Sequence, residues 1–591
     1  MILEKLVEYY ERKAAEPDTA LAPEGFEPKE IPFLVVLDAA GNFTQLRDTR
    51  TGDGKKRKGR VFTVPQDVGR SGLLITANLL WDTAEYALGI TSRDNPRLEQ
   101  QHADFVRRLD ELPDILEIRA IKTFLAIRPA ARFKEVPDWR EIFETNPYVS
   151  FAILDGRGLP QPVFEISEVQ AALSEPDPKD DVIQGLCLVT GETGEISRLH
   201  PAIKGVWGAQ TSGAKIVSFN KSAFASFGKQ QGENAPVGKK AAFAYTTALN
   251  HLLGKNSQQH FYLGKTSIVF WADKPCTLED DFNCFFNEPE KDDPDRIKAI
   301  ERLYQSVRHK GLSVDEGNAR FFVLGLAPSD ARIAIRFWQH GTVREISERI
   351  VQHFDDLEIA HAPNLPDYLP LWRLLRSIAV RQELKNIPPN LEGDAVRSIL
   401  CGLPYPATLF AASIRRIRAE QQVTYERAAI IKAYLNRNTR LKNKNHSENK
   451  EEMKVALDTS NTNPGYLLGR LFAILERVQE TANPGINATI RDRFYGAASS
   501  TPVAVFPNLL KLSSHHLSKI ENANKGLQIY LERLISEIID GLNGKEAGFP
   551  RVMSIEDQGR FAIGYYHQRQ ALFSPKEKKE TTETATSGDA S

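Results

Sequence analysis

Gly264-Lys265-Thr266-Ser267 comes closest to a phosphate-binding motif in this chain of 591 residues. Such a loop needs a glycine five residues before its Gly-Lys pair and must open a helix. Gln259 stands where that glycine should be, and the following Ile-Val-Phe-Trp run reads as a strand. The doublets His515-His516 and Asp355-Asp356 suggest a metal-dependent nuclease. Adjacent side chains on a helix point about 100° apart, so neither doublet converges easily on one ion. Both are expected to be exposed polar residues. Cys187, Cys276, Cys284 and Cys401 lack the paired spacing of a zinc site. Buried reduced thiols are the expectation for them. No HExxH, GxSxG or paired-carboxylate arrangement occurs. The sequence offers no catalytic site and asks for no cofactor or metal.

Two other clusters suit binding rather than catalysis. Between Ser218 and Pro236, the polar residues Asn220, Lys221, Lys229, Gln230, Gln231 and Asn234 interleave with Phe219, Phe224 and Phe227. Glycines stand at 228 and 232. Amides can pair with base edges, lysines with phosphate, and glycine lets the backbone approach a ligand closely. The competing reading is a loop whose phenylalanines are core and whose amides cap turns. The second cluster is Lys55, Lys56, Arg57, Lys58 and Arg60, flanked by Gly52, Gly54 and Gly59. It reads as a basic hairpin loop between two strands, suited to gripping a phosphate backbone, although a charge run is usually just a solvated loop. Asn78 and the pair Arg491/Arg493 are lesser candidates. Asn78 can simply cap a helix, and arginines two apart on a helix diverge.

The chain is too long for one hydrophobic core, so two to four domains are expected. Lys and Arg total 76 against 77 Asp and Glu, a net charge of −1. A free-standing duplex binder is usually basic overall, so this chain is expected to be held to nucleic acid by partners. The N-terminal MILEKLVEYYERKAAEP reads as an amphipathic helix and not a signal peptide. No apolar run reaches membrane-spanning length, and the expected location is the cytoplasm.

The fold class expected is α+β, a mixed α/β N-terminal body with antiparallel strands followed by a C-terminal α-helical bundle. Ile31 to Asp38, Gly185 to Thr190 and Ala214 to Phe219 read as strands, and Phe261 to Trp271 as a hairpin turning at Gly264-Lys265. Phe321 to Leu326 and Arg332 to Trp338 read as another pair, the second alternating cleanly in and out. Val237 to Leu253, Thr342 to Leu357, Leu371 to Arg381, Ala407 to Arg437 and the chain beyond Pro464 read as helical. Leu527, Tyr530, Leu531, Leu534, Ile535, Ile538 and Leu542 form one apolar stripe. Ser554 is the expected cap of a last helix. The expected division is a body over 1–341, a helical connection over 342–445, a bundle over 446–574 and a disordered tail over 575–591. Arg440 to Lys450 reads as a polar linker.

The string SFNKSAFASFGKQQGENAPV with AAFAYTTALNHLL, preceded by CLVTGE and RLHPAIKGVWGAQTSGAKIV, resembles the large subunit of the subtype I-C CRISPR Cascade surveillance complex. The likeness continues through FFVLGLAPSDARIAIRFW, YLLGRLFAILERVQETAN and NATIRDRFYGAASSTPVAVFPNLLKL, and VPQDVGRSGLLITANLLWDTAEYALGI fits too. It implies a non-catalytic subunit that recognises the protospacer-adjacent motif in duplex DNA, aids strand opening and R-loop formation, and helps recruit the helicase-nuclease. The N-terminal body would also meet the subunit that holds the guide 5′ handle. The implied partners are that subunit, the backbone subunits, crRNA, target double-stranded DNA, the helicase-nuclease and a small subunit. Sequence would then be read by guide pairing, the protein reading only the flanking motif. On this reading Gln230, Gln231 and Asn234 reach bases while Lys221 and Lys229 contact phosphate, and residues 55–60 grip or wedge the duplex. Members of the family are thought to yield the small subunit from an internal start. Met453, one of three methionines, precedes the bundle and is the expected site. The rival readings are a stand-alone DNA-binding regulator and a CRISPR nuclease or RNA-processing enzyme. The first would show a helix-turn-helix and a basic domain, the second an acid/base or metal cluster.

Overall fold

A computed structural model describes residues 1–16, 21–52, 57–68, 70, 75–127, 137–174, 183–287, 294–308, 311–388, 390–442, 453–543 and 548–573. Lys55 and Lys56, much of the 440–450 linker and the 575–591 tail lie outside the described residues. The chain forms two compact units, one of residues 1–257 with 328–333, the other of residues 258–327 with 334–591.

The first unit begins with α1 (Ile2–Ala14), followed by β1 (Phe26–Ile31), β2 (Phe33–Leu37), β3 (Phe43–Asp48), β4 (Arg60–Pro65) and β5 (Trp81–Thr83). β6 (Tyr148–Leu154), β7 (Pro160–Pro162), β8 (Gln184–Leu186), β9 (Thr193–Glu195) and α2 (Lys239–Leu252) complete its labelled elements. β2 is buried at all five positions. It pairs antiparallel with β3 on one side and parallel with β6 on the other. A strand enclosed on both faces needs a continuous apolar run rather than an alternating one, and Phe-Leu-Val-Val-Leu supplies it. Pro32 separates β2 from β1, which pairs with β4 in a sheet of its own. The ends of the basic loop therefore leave from different sheets, and a Thr51–Lys58 bridge closes it. Helices over Leu98–Arg108, Leu116–Ala126 and Pro137–Thr145 supply Phe105, Phe124 and Trp139 to the core around β2 and β6.

The expected strand over 185–190 is reduced to the short β8, which pairs with β9. Ala214 to Phe219 forms no strand; Ala214 makes one isolated bridge to Ile203 and Lys215 one to Arg332. Gly205, Gly208 and Gly213 sit at positive φ in this region, and left-handed turns at such close intervals interrupt a ladder.

The second unit contains a four-stranded sheet in the order β10 (His260–Leu263), β11 (Thr266–Ala272), β12 (Arg320–Ser329) and β13 (Arg332–Thr342). Gly264 turns the β10–β11 hairpin at φ +54°, and Gly-Lys-Thr-Ser opens a strand, not a helix. The alternation expected of β13 is interrupted: Ile333 and Phe337 are buried, but Ile335 is 41% exposed. The helix α3 (Val343–Leu357) starts on a capping box in which Thr342 and Glu345 satisfy each other's amides. Residues 371–381 are helical only to Ile378, because Ala379 takes extended backbone at ψ 139° and Arg381 and Gln382 beyond it take positive φ. Next come α4 (Leu391–Leu400), α5 (Ala407–Glu420) and α6 (Tyr425–Lys442). The helical reading of 407–437 holds as two helices, broken where Gln421 takes φ +54°.

The C-terminal helices are α7 (Pro464–Ala482), α8 (Ile490–Ser500), α9 (Phe506–Ala523), α10 (Lys525–Asn543) and α11 (Ile555–Phe573). α7 and α11 meet backbone to backbone. A Cβ on Gly469 would overlap the Phe561 carbonyl oxygen, and one on Gly564 would overlap that of Tyr466. The stripe on α10 buries Leu531, Ile535, Ile538 and Leu542. Ser554 accepts the Asp557 amide at 3.1 Å, as expected of a cap.

Asp356, expected to be exposed, is instead 1% exposed. Its carboxylate accepts from Arg437 at 2.7 Å and from Arg440 at 2.8 and 3.0 Å, and a buried charge persists only when paired in this way. Its neighbour Asp355 accepts from Tyr304 and Arg308. No helix among the described residues is long and apolar enough to cross a membrane.

Candidate nucleic-acid interface

The stretch that precedes the amide-rich segment is built onto α2 by polar contacts. His200 shares a 2.6 Å hydrogen bond with the Tyr245 hydroxyl. Asn250 accepts the Lys204 amide at 2.7 Å and donates to the Ala202 carbonyl at 3.1 Å. Burial pushes the His200 imidazole down to about 4, with the nearby Lys215 acting in the same direction. The imidazole is therefore neutral at physiological pH. Burial, then Arg198, lowers the Lys215 pKa from its ordinary value.

From this base a loop projects whose residues 221–230 are all exposed. Asn234 ties it off. Its Oδ1 accepts the Ser226 amide at 2.9 Å, and its Nδ2 donates to the carbonyls of Lys229 (3.3 Å) and Gln231 (3.1 Å). The Glu233 carboxylate accepts the Gln230 amide at 2.7 Å. Gly232 lies so close to the Ser197 carbonyl that a Cβ there would overlap it. Arg198 donates to Gln231 at 3.0 Å. Residues 328–333 belong to the same unit, and Arg332 donates to Asn220 Oδ1 at 2.5 Å. The Arg332 guanidinium also lies 4.3 Å from the centroid of the Phe224 ring, a cation–π contact.

The structure brings the six polar residues named from the sequence into one loop but divides their duties. Asn234, Asn220 and Gln231 spend side-chain hydrogen-bonding capacity on the loop and its base. Lys221 and Lys229 are exposed, free of the geometric demands that hold the amides. The phenylalanines are not core: Phe224 is 37% exposed and Phe227 97% exposed. Phe227 sits at φ +53° and Gly228 at φ +74°. A bulky residue in left-handed conformation is unusual, and here it presents an aromatic ring at the outermost part of a basic loop. The sequence places Phe227 in the cluster but does not distinguish it from Phe219 and Phe224. Its one signal is that Ser226 and Gly228 flank it, with Lys229 beyond, so no large apolar residue stands within two positions of it.

In the second cluster, Arg57 pairs with Asp48 at 3.0 Å, so one charge of the run has a partner. Lys58 exchanges backbone hydrogen bonds with Thr51, and Arg60 lies 4.8 Å from the Phe62 ring centroid. Among the described residues no hydrogen bond, ion pair or ring contact joins residues 57–60 to the 220–234 loop. Asn78 caps no helix. It is 1% exposed, accepts the Val68 amide at 3.1 Å and donates its own amide to Asp82, which also pairs with Arg70. Arg491 and Arg493 diverge as expected: Arg491 approaches Glu476 at 3.8 Å while Arg493 is exposed. The four cysteines are free, Cys187 and Cys276 buried and the other two half-buried. Among the described residues no three His, Cys, Asp or Glu side chains are grouped to hold a metal ion.

The α+β chain thus displays an exposed aromatic residue and two exposed lysines on one pinned loop. The family model of CRISPR-associated protein (Cas_Csd1) matches residues 6–573, and the chain belongs to that family. Membership places it in a CRISPR-associated complex. No curated protein matches the chain.

Proposed function

We propose that the chain is the large subunit of a subtype I-C Cascade, a non-catalytic component that recognises the protospacer-adjacent motif in duplex DNA. The observation that carries this reading is the exposed 221–230 loop, with Phe227 97% exposed between Lys221 and Lys229. An aromatic ring inserted at a base step unstacks it, the geometry by which wedging side chains open or kink a duplex. Lysines beside it would neutralise phosphate, and the pinned amides would set the loop's shape as well as present their remaining capacity to bases. Arg57, Lys58 and Arg60 would grip the backbone of the same DNA, together with Lys55 and Lys56.

In this role the protein works in the cytoplasm beside the guide 5′-handle subunit and the backbone subunits. It aids R-loop formation along the crRNA and helps recruit the helicase-nuclease. The body over 1–341 would read the motif, and the bundle over 446–574 would act like a small subunit. The near-neutral net charge fits a chain whose partners supply most of the phosphate contacts.

The test is a salt titration of duplex affinity for the guide-loaded complex carrying Lys221→Glu and Lys229→Glu together. The slope of log affinity against log salt should fall by about two, equally for duplexes with and without the motif. An unchanged slope would remove these lysines from the interface and with them the proposed loop.

A further inference from the structure

The four-stranded sheet has an edge strand beside a groove. β13 ends the strand order, with β12 on one side only. Beside it lies a groove of about 1100 Å³ lined by five successive residues, Ile335, Arg336, Phe337, Trp338 and Gln339. Successive side chains of a strand point to opposite faces. A cavity touching five in a row therefore meets the strand at its main-chain edge, not on one face.

The direction of the edge amides follows from one hydrogen bond. The Ile333 amide donates outward to the Lys215 carbonyl at 3.0 Å. Inward and outward amides alternate along an antiparallel strand, so those of Ile335, Phe337 and Gln339 face the same way. None of these three has a partner outside the sheet among the described residues. Edges of this kind are normally covered or blunted, because they template the pairing of another strand.

The charges that line the groove decide which class of ligand it suits. Lys265, Arg336, Lys385 and Arg397 supply four positive charges, and Glu392 and Asp394 two negative ones. Glu392 is only 8% exposed. A fixed buried carboxylate opposes a phosphodiester backbone, whereas a mixed wall with a positive excess matches a peptide bearing carboxylates. Ile335, 41% exposed, offers an apolar contact for one side chain of such a peptide.

We propose that the β13 edge and its groove bind an extended, acidic peptide segment of another protein subunit of the complex, added as a fifth strand. About five residues, roughly 17 Å of strand, would pair with the outward amides. The proposal needs the chain to act within a protein complex but does not depend on motif recognition.

The experiment places the photo-crosslinker p-benzoylphenylalanine at Asn386, an exposed residue of the groove wall, in the full chain assembled with its co-encoded subunits and guide RNA. The crosslinked site is read by mass spectrometry. The expected product joins residue 386 to an acidic segment of another protein subunit. Its yield should fall at least fivefold with Ile335→Pro, which removes one outward amide and is tolerated on an edge strand. It should fall likewise with the exposed-site variant Arg336→Glu, which keeps the test decisive where Ile335→Pro fails to fold. A nucleotide adduct at residue 386, no adduct in an intact complex, or a yield indifferent to Arg336→Glu would each overturn the proposal. Motif discrimination by the complex is measured alongside, so loss of the peptide site and loss of the DNA-reading loop are told apart.

Discussion

Arg332 donates to the side-chain oxygen of Asn220 at 2.5 Å across 112 residues of sequence. The contact ties the tip of the β12–β13 hairpin to the start of the amide-rich loop, while Asn234 closes the loop's other end. The loop is thereby held in shape at both ends and left bare between them.

Removing either tie should loosen the loop without unfolding the chain. An exposed hydrogen-bonded contact of this kind contributes about 1 kcal/mol. Amide exchange at Ser226 should quicken about tenfold in Asn234→Ala. Affinity for motif-bearing duplex should fall about three- to tenfold in both Asn234→Ala and Arg332→Ala, with the complex melting within about 2 °C of the parent.

Phe227→Ala should leave stability untouched, because the ring is 97% exposed and packs on nothing among the described residues. If the ring stacks on an opened base step, its loss costs about 1–3 kcal/mol. Permanganate reactivity of thymines beside the motif should then drop at least fivefold at equal occupancy, with Phe227→Trp retaining opening.

Stability should decline in acid through buried histidines. His567 is 1% exposed, hydrogen-bonded to the Tyr466 hydroxyl at 3.0 Å, and pushed by burial, then by Lys432, down to about 4. Its folded pKa lies below the ordinary 6.5, so below that value the unfolded chain binds the proton that the folded chain refuses. Stability is therefore complete above pH 6.5 and is lost as pH falls towards 4, at about 1.4 kcal/mol per pH unit for each such group. His200 behaves alike in the first unit. Urea unfolding across this range should show the slope, and His567→Gln should flatten it in the second unit's transition.

Met453 is 1% exposed, and its amide and carbonyl both pair with the Asn436 side chain at 2.8 Å. It is a core residue, so packing gives it a structural role alongside the internal start expected there. Met453→Leu, encoded by a codon that cannot start translation, conserves volume and should cost less than about 1.5 kcal/mol. Immunoblotting against the C-terminus should then show the full chain at normal level and no product beginning at 453. Persistence of that product would refute the internal start.

What was legible in the sequence was periodic or locally capped. The apolar run of β2, the turn at Gly264, the stripe from Leu527 to Leu542 and the cap at Ser554 are each written within a few residues. The second unit's buried charges are not, because Asp356 is neutralised by Arg437 and Arg440, 81 and 84 residues away. Residues 214–219 have strand composition, yet the positive-φ glycines before them leave only isolated bridges. The candidate loop was visible as a cluster of amides and lysines. Its internal economy was not, since composition cannot tell an amide that faces solvent from one, like Asn234, that holds three backbone groups.

The most direct test of the account is the affinity of the guide-loaded complex, assembled with and without this chain, for matched duplexes that carry or lack the flanking motif. The account predicts that discrimination between the two duplexes appears only when the chain is present, and falls when Phe227, Lys221 and Lys229 are replaced together. Equal discrimination without the chain would contradict it, reducing the 221–230 loop to a surface feature of a scaffold.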